Sequence, residues 1–245
     1  MPLYRSDAFV LRTYTLGEAD QIVVFFTRDM GKLRVIARSS RNPRRATTGY
    51  YQPLTLLHTI VFGRPTQALY RLNSVDILQS FRTLHEDFER LRCGLYVTEL
   101  LDVSTREREP APELFMLYHL TLEELVQTPS PASLLRLFEI RLLMLIGYAP
   151  QLLECARCSK PLPAEAWTFS ARFGGLVCPA CTAEGHPMLT VTPETIAYLR
   201  QAMAGAPVPT LAPDTSTPQE LERLLHLHLT ACLGRELKSY AFLHL

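Results

Sequence analysis

The sequence predicts an α+β, multidomain fold, with an N-terminal five-stranded OB-fold β-barrel followed by an α-helical bundle that carries an inserted four-cysteine zinc knuckle. Three observations predict it. The first 80 residues hold short β-branched and aromatic runs between tight turns, later segments space apolar residues as helices do, and four cysteines come in two close pairs. We expect domains over 1–80 and 81–245, with a zinc-binding subdomain at about 150–186.

Five segments of the first part have the composition of strands. Short polar turns at 17–20 and 28–31 join the first three, and five short strands joined in this way are typical of the OB-fold. Residues 39–51 are polar and basic, which predicts a loop where an OB-fold usually carries a helix. We therefore expect the helix after residue 82 to cap the barrel. The predicted strands are 9–14, 21–27, 32–38, 54–62 and 68–78.

The second part reads as helices separated by prolines and glycines. The third of these helices, with Ser133 at its N-cap and Gly147 at its end, is apolar nearly all round and is expected to be central in the bundle. Thr192-Pro193 predicts a helix start, because proline suits the first helical position. Residues 204–217 predict a flexible connection. The other helices are expected at 88–101, 114–126 and 218–238.

The four cysteines Cys155, Cys158, Cys178 and Cys181 follow the pattern C-x2-C-x19-C-x2-C. Two such pairs supply a closed tetrahedral shell for one structural Zn²⁺, with no position left open for a substrate. His186 is an alternative ligand, but four thiolates already complete the shell. The shell carries a net charge of about −2 with zinc, and we expect nearby cations to offset it rather than to contact DNA phosphates. Those cations are Arg157, Lys160 and Arg172.

Charge is unevenly distributed along the 245 residues. Residues 1–82 carry 12 Lys and Arg against five Asp and Glu, a surplus of +7, whereas the remainder carries −6. This asymmetry indicates two modules with different partners. The N-terminus lacks a signal-peptide pattern, and the apolar stretch 134–146 is too short and too charged to span a membrane, so we expect a cytoplasmic chain. Thiols stay reduced in the cytoplasm, and paired reduced cysteines favour metal binding.

Motifs of common catalytic sites are missing from the sequence. It contains no H-E-x-x-H, G-x-S-x-G or P-loop motif, and no histidine has the H-x-E context that a zinc deaminase needs. His226 and His228 lie on a leucine-rich helix and are expected to be packing residues, as are Cys93 and Cys232. The sequence therefore argues against an enzyme.

Residues 32–45 are the strongest candidate for a binding surface, with six basic residues and no acidic one. Basic side chains of equal parity in a strand share one sheet face, and aromatic residues beside them are able to stack on bases. Six phosphate contacts predict a slope of about −5 in log K against log salt. Solvated charge and packed tyrosines are the alternative interpretation. The predicted DNA-binding residues are Lys32, Arg34, Arg38, Arg41, Arg44, Arg45, Tyr50 and Tyr51, with Arg12, Arg64 and Arg71 extending the groove.

The chain resembles the RecO family of bacterial recombination mediators, because these features follow one another along the sequence in the same order. Beyond the cysteines, the resemblance rests on Gly31–Arg38 leading into a basic loop, Gln52–Leu54, Leu145–Pro150, Phe169-Ser170 with Gly174-Gly175, and Leu237–Leu243. It implies an OB-fold domain joined to a helical domain, binding of single- and double-stranded DNA, and annealing of complementary strands. It also implies loading of RecA, with the partner RecR, onto DNA coated by single-strand-binding protein. Arg136 and Arg141 are candidate contacts for the acidic tail of that protein.

Two hypotheses from different classes follow from the sequence. The first is a non-enzymatic DNA-binding recombination mediator. The second is a zinc-stapled protein-interaction adaptor without direct DNA binding, in which the basic barrel contacts RNA or an acidic protein. Charge reversal at Arg34, Arg38 and Arg44 discriminates between them, because only the mediator then loses DNA binding and annealing.

Overall fold

The computed structural model describes residues 2–38, 40, 49–64, 66–162, 167–182, 188–205 and 216–244. It divides into two compact units, Met1–Thr128 with Lys238–Leu245, and Pro129–Leu237. The first unit contains β1 (Leu3–Leu16), β2 (Asp20–Thr27), β3 (Gly31–Ala37), β4 (Leu56–Phe62), β5 (Tyr70–Gln79), α1 (Arg82–Glu86), α2 (Phe88–Ser104), α3 (Pro112–Gln127) and a 3₁₀ segment, Lys238–His244. The second contains α4 (Pro131–Leu145), β6 (Trp167–Ser170), β7 (Gly175–Val177), a 3₁₀ turn (Pro179–Cys181), β8 (Met188–Val191), α5 (Pro193–Met203) and α6 (Thr217–Leu233).

The five N-terminal strands close into a barrel in the order β1-β2-β3-β5-β4. Only the β3–β5 pairing is parallel, and β4 pairs with β1 to close the ring. This is the five-stranded OB arrangement that the sequence predicted. Side chains of alternate residues fill the interior, among them Val10, Val23, Phe25, Leu33 and Val35, each at most 2% exposed.

Helices cover one half of the outer barrel wall. Phe9 and Phe26 lie opposite each other on β1 and β2 and point outward, because their neighbours point inward. The ring of Phe115 in α3 lies 5.0 Å from that of Phe9 and 6.1 Å from that of Phe26, and Tyr118 packs edge-on against Phe9 at 4.8 Å. These contacts place α3 on the barrel wall, whereas the predicted cap is the helix after residue 82, and its capping role stays a prediction. They also explain why the first unit extends past residue 80 to Thr128.

The C-terminal 3₁₀ segment completes the first unit. The Glu99 carboxylate of α2 accepts hydrogen bonds from the backbone N–H groups of Lys238 (3.1 Å) and Ser239 (2.7 Å), and from the Ser239 hydroxyl. Arg92 donates to the carbonyl oxygen of Phe242 at 3.3 Å. One carboxylate thus satisfies the free donors at the start of the 3₁₀ segment.

In the second unit, α4 is buried on nearly all sides, as its apolar pattern predicted. It begins at Pro131, with Ser130 rather than Ser133 at the N-cap. The helix α5 starts at Pro193 as predicted, and the Thr192 side chain caps it. The helix α6 ends at Leu233, not at residue 238, because Gly234 adopts a left-handed conformation with φ of 65°. The predicted flexible connection lies mostly outside the described residues.

One long cation of α4 is buried in an ion pair. Arg136 is 5% exposed and lies 3.0 Å from the carboxylate of Glu139 and 3.9 Å from that of Glu222. Burial makes Arg136 unsuitable as a contact for the acidic tail of a partner, which corrects the expectation from the resemblance. Arg141 is exposed, so that part of the expectation stays a prediction. No helix within the described ranges is both long and apolar enough to cross a membrane.

Candidate nucleic-acid surface and metal centre

The half of the barrel wall that α3 leaves uncovered is basic. Across the strands, Arg12 of β1 lies opposite Val24 of β2, and Val24 lies opposite Arg34 of β3. Directly opposite residues point to the same face, so the two arginines stand about 10 Å apart on the outer wall. Their side chains are 46% and 50% exposed.

A second row of the same face mixes aromatic, apolar and basic residues. Tyr14 lies opposite Ile22, which lies opposite Ile36, and Ile36 pairs with Arg71 of β5. Arg71 is exposed, as is Arg38, which directly follows β3. We call the set Arg12, Tyr14, Arg34, Arg38 and Arg71 the basic face. It lies around β2 and β3, where OB-folds commonly bind oligonucleotides.

Tyr14 is a candidate stacking residue that the sequence interpretation missed. Its ring is 45% exposed, and the guanidinium of Arg12 lies 5.4 Å from the ring centre. A flat cation against an exposed aromatic ring is the combination that single-strand binding surfaces use. Its position two residues after Arg12, and so of equal parity in one strand, was the available signal.

Two of the predicted DNA-binding residues are buried, and a third is partly buried. Lys32 has the predicted parity, but the end of α2 covers it. It is 9% exposed, and its ammonium group donates to the carboxylate of Asp102 at 2.9 Å. Tyr51 is 7% exposed within the barrel core, and Tyr50 packs against that core. These contacts remove Lys32 and Tyr51 from the candidate surface and disfavour Tyr50 as a stacking platform.

The remaining predicted basic residues are only partly described. Arg34 and Arg38 lie on the basic face, whereas Arg41, Arg44 and Arg45 fall outside the described residues. Arg64 is exposed in the β4–β5 loop, where its backbone N–H donates to the side chain of Gln67 at 3.0 Å. This loop is a usual ligand-binding loop of OB-folds.

Acidic side chains from the last turn of α2 and from the segment after it reach the basic face. The Asp102 carboxylate lies 3.0 Å from the guanidinium of Arg12, and the Glu107 carboxylate lies 2.7 Å from Nε of Arg34. Asp102 is 8% exposed, so it is a buried anchor shared by Arg12 and Lys32. Glu107 is 37% exposed and open to solvent.

The second candidate site is the cysteine cluster in the second unit. Cys155 and Cys158 lie in a turn closed by the bond from the Ser159 N–H to the Cys155 carbonyl, and Cys178 and Cys181 flank the 3₁₀ turn after β7. All four sulfur atoms lie within 4.8 Å of one another. The sulfur atoms of Cys158 and Cys178 are 3.8 Å apart. Tetrahedral zinc with Zn–S bonds of about 2.3 Å requires a sulfur separation of about 3.8 Å, so the cluster fits the ion.

Backbone donors prepare one of these thiols for metal binding. Burial raises the pKa of Cys155, but the N–H groups of Cys178, Arg157 and Cys158 outweigh it and lower that pKa to about 6. Hydrogen bonding with Cys158, together with burial, raises the pKa of Cys181 to about 12. The first negative charge of the cluster therefore belongs to Cys155, and a metal ion is needed to hold all four sulfurs as thiolates.

Basic side chains lie beside the cysteine cluster. Phe173 packs against the cysteines, and the guanidinium groups of Arg157 and Arg172 lie 5.3 Å and 5.7 Å from its ring centre. Arg157 also approaches the Cys181 carbonyl oxygen at 3.5 Å. Both arginines lie beside a ring that packs against the cysteines, and the charge offset expected of them stays a prediction. Lys160 is exposed, and His186 lies outside the described residues.

Comparisons with known proteins cover nearly the whole chain. The family model described as Recombination protein O N terminal matches residues 1–81, and the one described as Recombination protein O C terminal matches residues 85–241. A DNA repair protein RecO of Symbiobacterium thermophilum is 33% identical over 252 residues, covering 99% of this chain and 97% of the relative. Proteins of the same name from Syntrophus aciditrophicus (31% identity; 96% and 93% covered) and Anaeromyxobacter sp. strain K (34%; 99% and 96%) are similarly close.

Proposed function

Because this chain belongs to the RecO family of DNA repair proteins, we propose that it is a non-enzymatic recombination mediator. It binds single- and double-stranded DNA and anneals complementary strands. With RecR it helps to load RecA onto DNA coated by single-strand-binding protein. DNA binding of this kind places it at the nucleoid.

The observation that carries the proposal is the basic face on an OB-fold barrel. Arg12 and Arg34 stand on one wall with Arg38 and Arg71 beside them, and Tyr14 offers a ring for stacking. The guanidinium groups of arginine neutralise phosphates. This lowers the repulsion between two strands, while their base edges stay free to pair. Annealing therefore requires no chemical step and no nucleotide cofactor.

We assign the four-cysteine cluster to one structural Zn²⁺ per chain. Four thiolates complete the tetrahedral shell, so the ion supplies folding free energy and leaves no coordination position for a substrate. The cysteines hold β7 and the 3₁₀ turn after it against the turn at Cys155. This assignment supports a mediator or an adaptor equally and disfavours a zinc hydrolase.

An adaptor without direct DNA binding is the second candidate. Arg12 and Arg34 already have carboxylate partners, and residues after 82 carry a net charge of −6. In this case the ion pairs of the basic face stabilise the fold, and partner proteins bind the rest of the surface. Exposed Arg141 remains our candidate contact for an acidic partner tail.

Binding of a fluorescent single strand at increasing salt separates the two functions. Without Lys32, five of the six basic residues of segment 32–45 remain. One phosphate contact for each of these residues predicts a slope of log K against log salt of about −3.5 for single strands and about −4.5 for duplex DNA. Fluorescence anisotropy measures both slopes. A slope near zero, or no binding at low salt, favours the adaptor.

A further inference from the structure

The segment that follows α2 fills a gap in the barrel beside the basic face. Among the described residues, β5 pairs with β3 only at Val35 and Ile36, so the first half of β3 has a free edge. Residues 105–109, which we call the strap, run along this edge. Lys32 forms a parallel bridge with Glu107, and the N–H of Arg108 donates to the Lys32 carbonyl oxygen at 3.0 Å.

Close backbone packing fixes the position of the strap. Gly31 adopts a left-handed φ of 67°, and a Cβ atom there would overlap the carbonyl oxygen of Glu109. The strap is thus seated against β3 by backbone contacts and not only by its charges. As a result, the strap backbone keeps Glu107 beside Arg34, and their side chains form an ion pair at 2.7 Å.

The two acidic residues that reach the basic face differ in burial. Asp102 is buried and binds two cations, so its removal would leave charges unpaired inside the unit. Glu107 and Arg34 are 37% and 50% exposed, and an ion pair this open contributes little free energy. A phosphate is therefore able to replace Glu107 at Arg34 without disturbing the fold.

We propose that Glu107 sets the affinity of the basic face, as a built-in competitor that a DNA phosphate displaces from Arg34. This inference rests on the proposed DNA-binding function. When phosphate takes Arg34, the exposed Arg34–Glu107 pair must break, and salt screens such a pair, so breaking it costs most at low salt. Glu107 consequently weakens binding and flattens its salt dependence, which favours release of annealed strands.

The test compares Glu107→Gln with Glu109→Gln by anisotropy on a fluorescent single strand. Glu109 belongs to the same strap and is 63% exposed, but its partner is Arg106 at 3.7 Å. We expect Glu107→Gln to tighten binding about two- to fivefold and to steepen the salt slope by about 0.7. Glu109→Gln controls for the loss of charge and should change affinity much less.

A double-variant cycle makes the test specific. In an Arg34→Gln background, Glu107→Gln should have no further effect, because the competed cation is gone. Equal tightening by both glutamate variants, an effect that persists without Arg34, or no effect of Glu107→Gln would overturn the inference. The variant Arg38→Gln distinguishes failure of this inference from failure of the proposed function. If Arg38→Gln weakens binding while Glu107→Gln does nothing, only the inference fails. Absence of salt-sensitive binding by the wild type sinks the proposed function as well.

Discussion

Replacing Cys158 with serine is expected to abolish stoichiometric zinc binding and to lower the free energy of unfolding by on the order of 3 kcal/mol or more. Cys158 is the exposed member of the cluster, so the substitution removes a ligand at the smallest loss of packing. The three remaining thiols cannot close the tetrahedral shell of four thiolates. Elemental analysis of the purified chain and denaturant unfolding measure the two effects.

Cys232→Ser is the matched control for this substitution. Cys232 lies in α6, outside the cluster, and its sulfur lies 3.7 Å from Nε2 of His228. It should retain one zinc per chain and nearly all of the stability. If Cys158→Ser melts like the wild type and still holds one zinc, the four-cysteine assignment is wrong.

Neutralising Arg34 and Arg38 together should lower the affinity for single-stranded DNA on the order of tenfold at low salt and reduce the salt slope by about 0.7–1.4, because Glu107 offsets part of the contribution of Arg34. Both residues are exposed around β3, so glutamine at each position removes charge without emptying the core. Lys32 is unsuitable for this experiment, because breaking its buried pair with Asp102 typically costs about 3–5 kcal/mol of stability. Anisotropy at several salt concentrations measures affinity and slope.

The control is a double variant that loses the same two positive charges outside the basic face. Arg82, 84% exposed in a surface pair with Glu86, and exposed Arg235 are replaced by glutamine together. We expect nearly wild-type binding from this variant and unchanged zinc content from both. Equal losses in the two double variants would show a general charge effect and would remove the basic face from the account.

Local patterns were sufficient to predict the barrel and the cysteine cluster. Tight turns such as 28–31 and alternating apolar residues specify hairpins between neighbouring segments, so β1, β2 and β3 follow from short-range signals. The cysteine spacing predicts the cluster of four sulfur atoms because each pair fits one turn. Thr192-Pro193 likewise marks the start of α5 by local capping alone.

Contacts between distant segments account for the failures. The parity of Lys32 was correct, but Asp102, 70 residues later, covers it, and no local pattern encodes that contact. Tyr51 packs into the barrel interior, where Val10 and Phe25 also lie, and its neighbours along the chain do not reveal this. Tyr14 was missed because it lies on β1, which β2 separates from the basic segment of β3 in the barrel.

Annealing of two complementary fluorescent oligonucleotides, at low and moderate salt and without nucleotide cofactor, tests the central claim most directly. If the basic face neutralises phosphates while leaving base edges free, the wild type should accelerate annealing strongly at low salt. Moderate salt should reduce this acceleration, and the Arg34→Gln, Arg38→Gln variant should lack most of it. No acceleration by a folded, zinc-containing chain, together with no binding of single strands at low salt, would contradict the mediator function and leave the adaptor in its place.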